Sequence, residues 1–143
     1  MGKTWRLHPK IFLHGFSAGA QFTHRFAFKH PELVAGVSAH SGGSWAKQQG
    51  DDRISPLARN VPFAVSCGED DYSNGGPQTT PGRIDGAKLF TTNLRSLGFS
   101  VEFKTWPGVG HAQTATAMGR ALLDKVRGIS TSRESLPNKS PSP

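Results

Sequence analysis

The apolar positions of this chain change period along its length, and those changes predict its elements. Ile11, Phe12 and Leu13 form a short apolar run between Pro9 and Gly15, the pattern of a buried strand. From residue 18 to 29 the period becomes helical: Ala20, Thr23 and Ala27 line one stripe, Phe22 and Phe26 the next, and Arg25 and Lys29 lie opposite. His30-Pro31 ends this helix, because the residue before a proline avoids the helical region. Residues 33–43 and 61–68 read as a second and a third strand, separated by a long polar excursion. Ile84, Ala87, Phe90, Leu94 and Leu97 recur at helical spacing over 83–97, with Gly98 as a stop. Residues 100–106 alternate like a strand, and Ala115, Met118, Leu122 and Val126 mark a last helix over 114–127.

Strands alternating with helices imply parallel pairing through right-handed crossovers. The predicted fold class is therefore α/β, an open parallel sheet of about four strands with flanking helices. A length of 143 residues suits one compact domain, expected over 1–127. Residues 128–143 are rich in Ser and Pro and poor in apolar residues, so a disordered tail is expected there.

Charge alters this picture little. Lys and Arg number 17 against 10 acidic residues, a net charge of +7. The basic residues are scattered rather than clustered, so they read as a solvated surface and not as a nucleic-acid interface. No apolar run approaches the roughly 20 residues of a membrane span, so no membrane partner is expected. The opening residues carry too short an apolar core for a signal peptide. Cys67 is the only cysteine, which excludes an internal disulfide and suits a reducing, cytoplasmic location. Its thiol is expected to be buried in the third strand as a small hydrophobe.

The candidate chemistry lies where the first strand meets the first helix, at Gly15-Phe16-Ser17-Ala18-Gly19. A serine on a sharp strand-to-helix turn exposes its Oγ, and the flanking glycines let the chain bend. The helix start places free N–H groups beneath the oxygen, making the N–H of Ala18 a candidate oxyanion donor. A serine needs a base held by a third group. Active residues of doubly wound sheets collect in loops at the carboxyl ends of the strands. After the third strand come the acids Glu69, Asp70 and Asp71, and after the fourth comes His111. His40 ends the second strand and is the rival base. His14 is expected to be a buried structural imidazole, His24 and His30 to be exposed, and His8 to play no part. No H-E-x-x-H motif or Cys/His cluster supports a metal site, and no cofactor is expected.

The stretches "IFLHGFSAGAQF", "HPELVAGVSAHSGGSW", "VSCGEDD" and "FTTNLRSLGFSVEFKTWPGVGH" together resemble the C-terminal half of an α/β-hydrolase. The likeness is to serine esterases of the polyhydroxybutyrate depolymerase-like and feruloyl-esterase-like kinds. The resemblance implies hydrolysis of a small or polymeric carboxylic ester through an acyl-Ser17 intermediate. It also implies His111 as base and Asp71 as the acid of a G-x-x-D pattern. Phe16, Trp45 and Trp106 are expected to line an apolar cleft, a placement that core packing would explain equally. A complete fold of this kind has a further half that supplies a second oxyanion donor. The alternative is thus a truncated, non-catalytic remnant or interaction module. The strand at Lys10, Ile11, Phe12 and Leu13 would then have a bare edge, so self-association into a homo-oligomer is expected through it.

Overall fold

The computed structural model describes residues 9–72 and 82–111. His8, the expected helix over 114–127 and the expected tail at 128–143 lie outside these residues. Strand β1 spans Ile11–Phe16, helix α1 Ala18–Lys29, β2 Val34–His40, β3 Phe63–Gly68, α2 Arg83–Ser96 and β4 Val101–Trp106. The strands form one open sheet in the order β1-β2-β3-β4, and every pairing is parallel. This is the expected α/β architecture, with boundaries shifted by local chemistry.

Strand β1 runs through His14 and Gly15 rather than stopping at Leu13. Gly15 pairs with Ala39 and packs against the start of α1, where a side chain would have no room. Strand β2 ends at His40 because Ser41 turns into the left-handed region at φ 49. Strand β3 starts at Phe63, after Pro62, which has no N–H to offer a ladder. Gly98, at φ 80, follows α2 and turns the chain toward β4.

The core lies between one sheet face and both helices. Phe63 and Val65 of β3 and Val37 and Ala39 of β2 meet Ala20, Ala27 and Phe28 of α1 and Ile84, Ala87, Phe90 and Leu94 of α2. Phe28, Phe63, Phe90 and Phe99 form an aromatic cluster with ring centroids 5.4 to 6.4 Å apart.

The buried stripe of α1 is rotated from the expected one. It takes in Ala20, Thr23, His24, Ala27 and Phe28, and leaves Phe22 60% exposed. His24 is the clear reversal, being fully buried and not exposed. Burial is tolerated because both ring nitrogens are satisfied. Nδ1 lies 2.6 Å from the carbonyl of Ala20, and Nε2 accepts the N–H of Ala46 at 3.2 Å. Burial drives its pKa down to about 4, so the ring is neutral. Arg25 is likewise not a free surface cation: it makes a two-pronged pair with Asp52, at 2.9 and 2.6 Å, that ties the polar excursion to α1.

Trp45, expected in an apolar cleft, belongs to the core. It is 8% exposed and stacks on Phe90 at 4.8 Å and on His24 at 5.2 Å. Gly42 and Gly86 make the slot, since a Cβ on either would stand 2.9 or 3.0 Å from the indole. Cys67 is fully buried in β3. His14 reverses its expectation too: it is exposed on the outer strand, with Nδ1 3.2 Å from Ser38 Oγ and its ring 5.0 Å from that of His40. That partial tucking lowers its pKa by desolvation.

Candidate active site

Ser17 stands between β1 and α1 at φ 55, ψ −114, a backbone region that a side-chain-bearing residue enters at a cost of about 1–3 kcal/mol. Three hydrogen bonds hold it there. Its N–H donates to the carbonyl of His40 at 2.9 Å, and its own carbonyl accepts from Ala20 at 3.1 Å and Gln21 at 3.3 Å. The turn therefore belongs to the end of β2 as much as to its own strand. Ala18 opens the helix, where an N–H has no intrahelical acceptor, and it is exposed beside Ser17.

The loops after β3 and β4 are laced together. Asp70 N–H donates to Val109, Glu69 N–H donates to Trp106, and Thr105 Oγ1 donates to Glu69 Oε1 at 2.7 Å. Glu69 and Asp70 are exposed, and their bonds shape the loops. Asp71 differs from both, being 1% exposed. Its Oδ2 lies 2.8 Å from His111 Nδ1, and His111 Nε2 lies 3.1 Å from Ser17 Oγ. With the carboxylate accepting at Nδ1, that nitrogen carries the proton and Nε2 offers its lone pair to the serine hydroxyl. The structure thus brings Ser17, His111 and Asp71 within hydrogen-bond reach in one line, across 94 residues of sequence.

The rival His40 has another occupation. It is 7% exposed, with Nε2 2.6 Å from Ser38 Oγ and Nδ1 2.6 Å from Ser66 Oγ. Burial lowers its pKa to about 3, and the neighbouring His14 adds to the shift. Its ring staples β2 to β3, while its carbonyl holds Ser17. Only that carbonyl bears on the site. His30 is exposed at the far end of α1, as expected.

Phe16 stacks on the His111 ring, with centroids 4.7 Å apart and planes at 27°. Trp106 is half-buried at the end of β4, with Nε1 3.4 Å from Ser66 Oγ and Lys104 Nζ 3.8 Å from its ring centroid. Among the described residues no group of His, Cys, Asp and Glu is placed to hold a metal ion. No described helix is long and apolar enough to cross a membrane.

Arg83 is a feature that the sequence reading passed over. Its guanidinium donates to the carbonyl of Ser41 at 3.0 Å and lies 3.7 Å from Asp71 Oδ1.

Comparison with known proteins agrees with the fold. A probable carboxylesterase of Oryza sativa subsp. japonica is 32% identical over 108 residues, which cover 71% of this chain and 35% of that protein. Among solved structures, esterase PE8 has a TM-score of 0.57 and 22% identity, over 83% of this chain and 52% of its own. A ferulic acid esterase has a TM-score of 0.54 and 22% identity, over 76% of this chain and 48% of its own. The chain therefore spans about a third of the length of its curated relative and about half that of these solved esterases. Residues 3–127 match the family model described as dienelactone hydrolase, and the chain belongs to that family.

Proposed function

We propose that this chain carries the nucleophile, base and acid of a serine hydrolase acting on carboxylic esters. The observation that carries the reading is the line Ser17 Oγ to His111 Nε2 at 3.1 Å and His111 Nδ1 to Asp71 Oδ2 at 2.8 Å. As Ser17 Oγ attacks the ester carbonyl carbon, its proton passes to His111 Nε2. The carbonyl oxygen takes the negative charge beside the Ala18 N–H and the start of α1. His111 then gives the proton to the departing alkoxide, leaving acyl-Ser17. Water, activated by the same imidazole, releases the acid and restores the serine. Asp71 keeps the proton on Nδ1 and stabilises the imidazolium that forms in each half.

Phe16, against the His111 ring, and Trp106, at the end of β4, are the residues we assign to the apolar part of the substrate. The relatives named as a carboxylesterase and a ferulic acid esterase support a carboxylic ester as the substrate class. The alternative reading is a non-catalytic hydrolase remnant or interaction module. A fluorophosphonate probe separates the two. Labelling of Ser17 that is abolished by His111→Gln supports the hydrolase. A folded chain that takes no label, and does not cleave p-nitrophenyl acetate, supports the remnant.

A further inference from the structure

Arg83 is the first residue of α2, where a cation opposes the positive end of the helix dipole. A residue that breaks a local rule calls for a tertiary reason. The helix start is already served by Asp85, whose carboxylate accepts the Gly82 N–H at 3.2 Å. The Arg83 side chain is 13% exposed and runs inward to Ser41 and Asp71. Gly43 leaves the space for it, since a Cβ at that position would stand 2.9 Å from Nη1.

We propose that Arg83 is a positioning residue of this site: its charge, anchored on the Ser41 carbonyl, fixes the Oδ1 side of Asp71 so that Oδ2 is presented to His111. A carboxylate as buried as Asp71 is costly without compensation. The Cys67 thiol lies 3.8 Å from Oδ2, on the side that faces His111. Arg83 brings a positive charge to the Oδ1 side, 3.7 Å away. At 3.7 Å its Nε is beyond a good hydrogen bond, so the link acts by charge more than by geometry. The anchor matters as much as the charge. Ser41 follows His40, whose carbonyl holds the Ser17 N–H. One guanidinium thereby ties the acid's loop to the strand end that fixes the nucleophile.

The inference deepens the ester-hydrolase reading, and its test has an arm that needs no turnover. The full chain is labelled with 15N-histidine, and the His111 ring signals are assigned by their loss in His111→Gln. Wild type, Arg83→Met and Arg83→Lys are compared, with urea unfolding confirming that each is folded. Arg83→Met is expected to raise the share of the Nε2–H tautomer of His111. It should also lower kcat for p-nitrophenyl acetate about 10- to 100-fold, short of the ~10⁴ that a misaligned acid costs, with KM within about twofold. Arg83→Lys should restore the tautomer and most of kcat, because it keeps the charge and a donor for the Ser41 carbonyl. Wild-type ring shifts in folded Arg83→Met overturn the proposal, and so does a folded Arg83→Lys as impaired as Arg83→Met. If Arg83→Met does not fold, Arg83→Gln is read in its place. A wild-type chain that takes no fluorophosphonate counts against the hydrolase reading, while the ring shifts still decide the role of Arg83.

Discussion

The carbonyl of His40 accepts the backbone N–H of Ser17 at 2.9 Å, so the turn that presents the serine is pinned by the neighbouring strand. The two glycines that flank this serine are not equivalent. A Cβ on Gly15 would stand 2.3 Å from the carbonyl carbon and oxygen of Gly19 and 2.8 Å from the nitrogen of Ala20, all backbone atoms that cannot swing aside. A Cβ on Gly19 would meet nothing within 4 Å. Gly15→Ala is expected to cost about 1–3 kcal/mol or more through overpacking. Gly19→Ala should be neutral or stabilise by up to about 1 kcal/mol, because alanine loses less entropy in a helix. Urea midpoints of the two variants check this, and equal losses at both sites would contradict it.

The acid assignment is testable by its nearest alternative. Asp71→Asn is expected to lower kcat about 10⁴-fold, since an amide at that position favours the wrong His111 tautomer. Asp70 is exposed and holds the Val109 carbonyl through its backbone, which Asp70→Asn preserves. That variant should stay within about twofold of wild type, the equivalent of ~0.5 kcal/mol. A reversed order of effects would transfer the role to Asp70.

Acid should weaken the fold through two histidines outside the chemistry. In the unfolded chain His24 and His40 take up a proton near pH 6.5. Folded, burial withholds it until about 4 for His24 and about 3 for His40. Between those limits the unfolded state binds more protons, so stability falls as pH falls. From pH 7 to 5.5 each group is expected to remove about 1 kcal/mol. His24→Gln and His40→Asn should each be less stable at pH 7 but show a shallower pH slope. Urea midpoints across that window provide the test, and an unchanged slope in both variants would refute it.

Cys67 should be inert. Burial, reinforced by the neighbouring Asp71, pushes its thiol up to about 12, so almost no thiolate exists at pH 8. Ellman's reagent should leave the native chain unreacted over minutes, and unfolding in guanidinium should release its single thiol. Rapid reaction of native protein would show that β3 opens.

The elements of this fold were legible because their causes are local. The apolar runs at 33–43 and 61–68 mark β2 and β3, whose residues are almost all buried, and the amphipathic spacing of 83–97 placed α2 within one residue of its end. What escaped depends on partners distant in the chain. The apolar run ends at Leu13, and β1 continues through His14 and Gly15 by pairing with Ser38 and Ala39, Gly15 packing under the start of α1. His24 reads as polar, yet Ala20 and Ala46 satisfy it inside the core. Trp45 could have faced substrate or core, and the slot between Gly42 and Gly86 decides for the core. Strand-end placement pointed to Ser17 and His111 but left Glu69, Asp70 and Asp71 open; the resemblance pointed to Asp71, whose Oδ2 lies 2.8 Å from His111 Nδ1. Arg83 left one faint mark, a cation at the start of a helix.

The outer edge of β1 carries the last prediction. Among the described residues no strand pairs with β1 on the side away from β2. Ile11 is 48% and Phe12 43% exposed on that strand. An apolar strand with an open edge is a template for pairing with another chain, and neither residue is a proline or an inward charge that would blunt it. We propose that a second copy of this chain covers the edge, most simply by antiparallel pairing of two β1 strands about a two-fold axis. The Ser17 turns would then lie at opposite ends of the joined strands, so pairing should protect the fold without completing either site. Ile11→Lys is the sharper variant, because the Phe12 ring lies against Gly36, where a Cβ would stand 2.8 Å from it. Analytical ultracentrifugation at micromolar concentration is expected to show a dimer of wild type and a folded monomer of Ile11→Lys. The rate of p-nitrophenyl acetate cleavage per chain should be little changed. A wild-type monomer whose Ile11, Phe12 and Leu13 amides resist exchange would show that the edge is covered from within the chain.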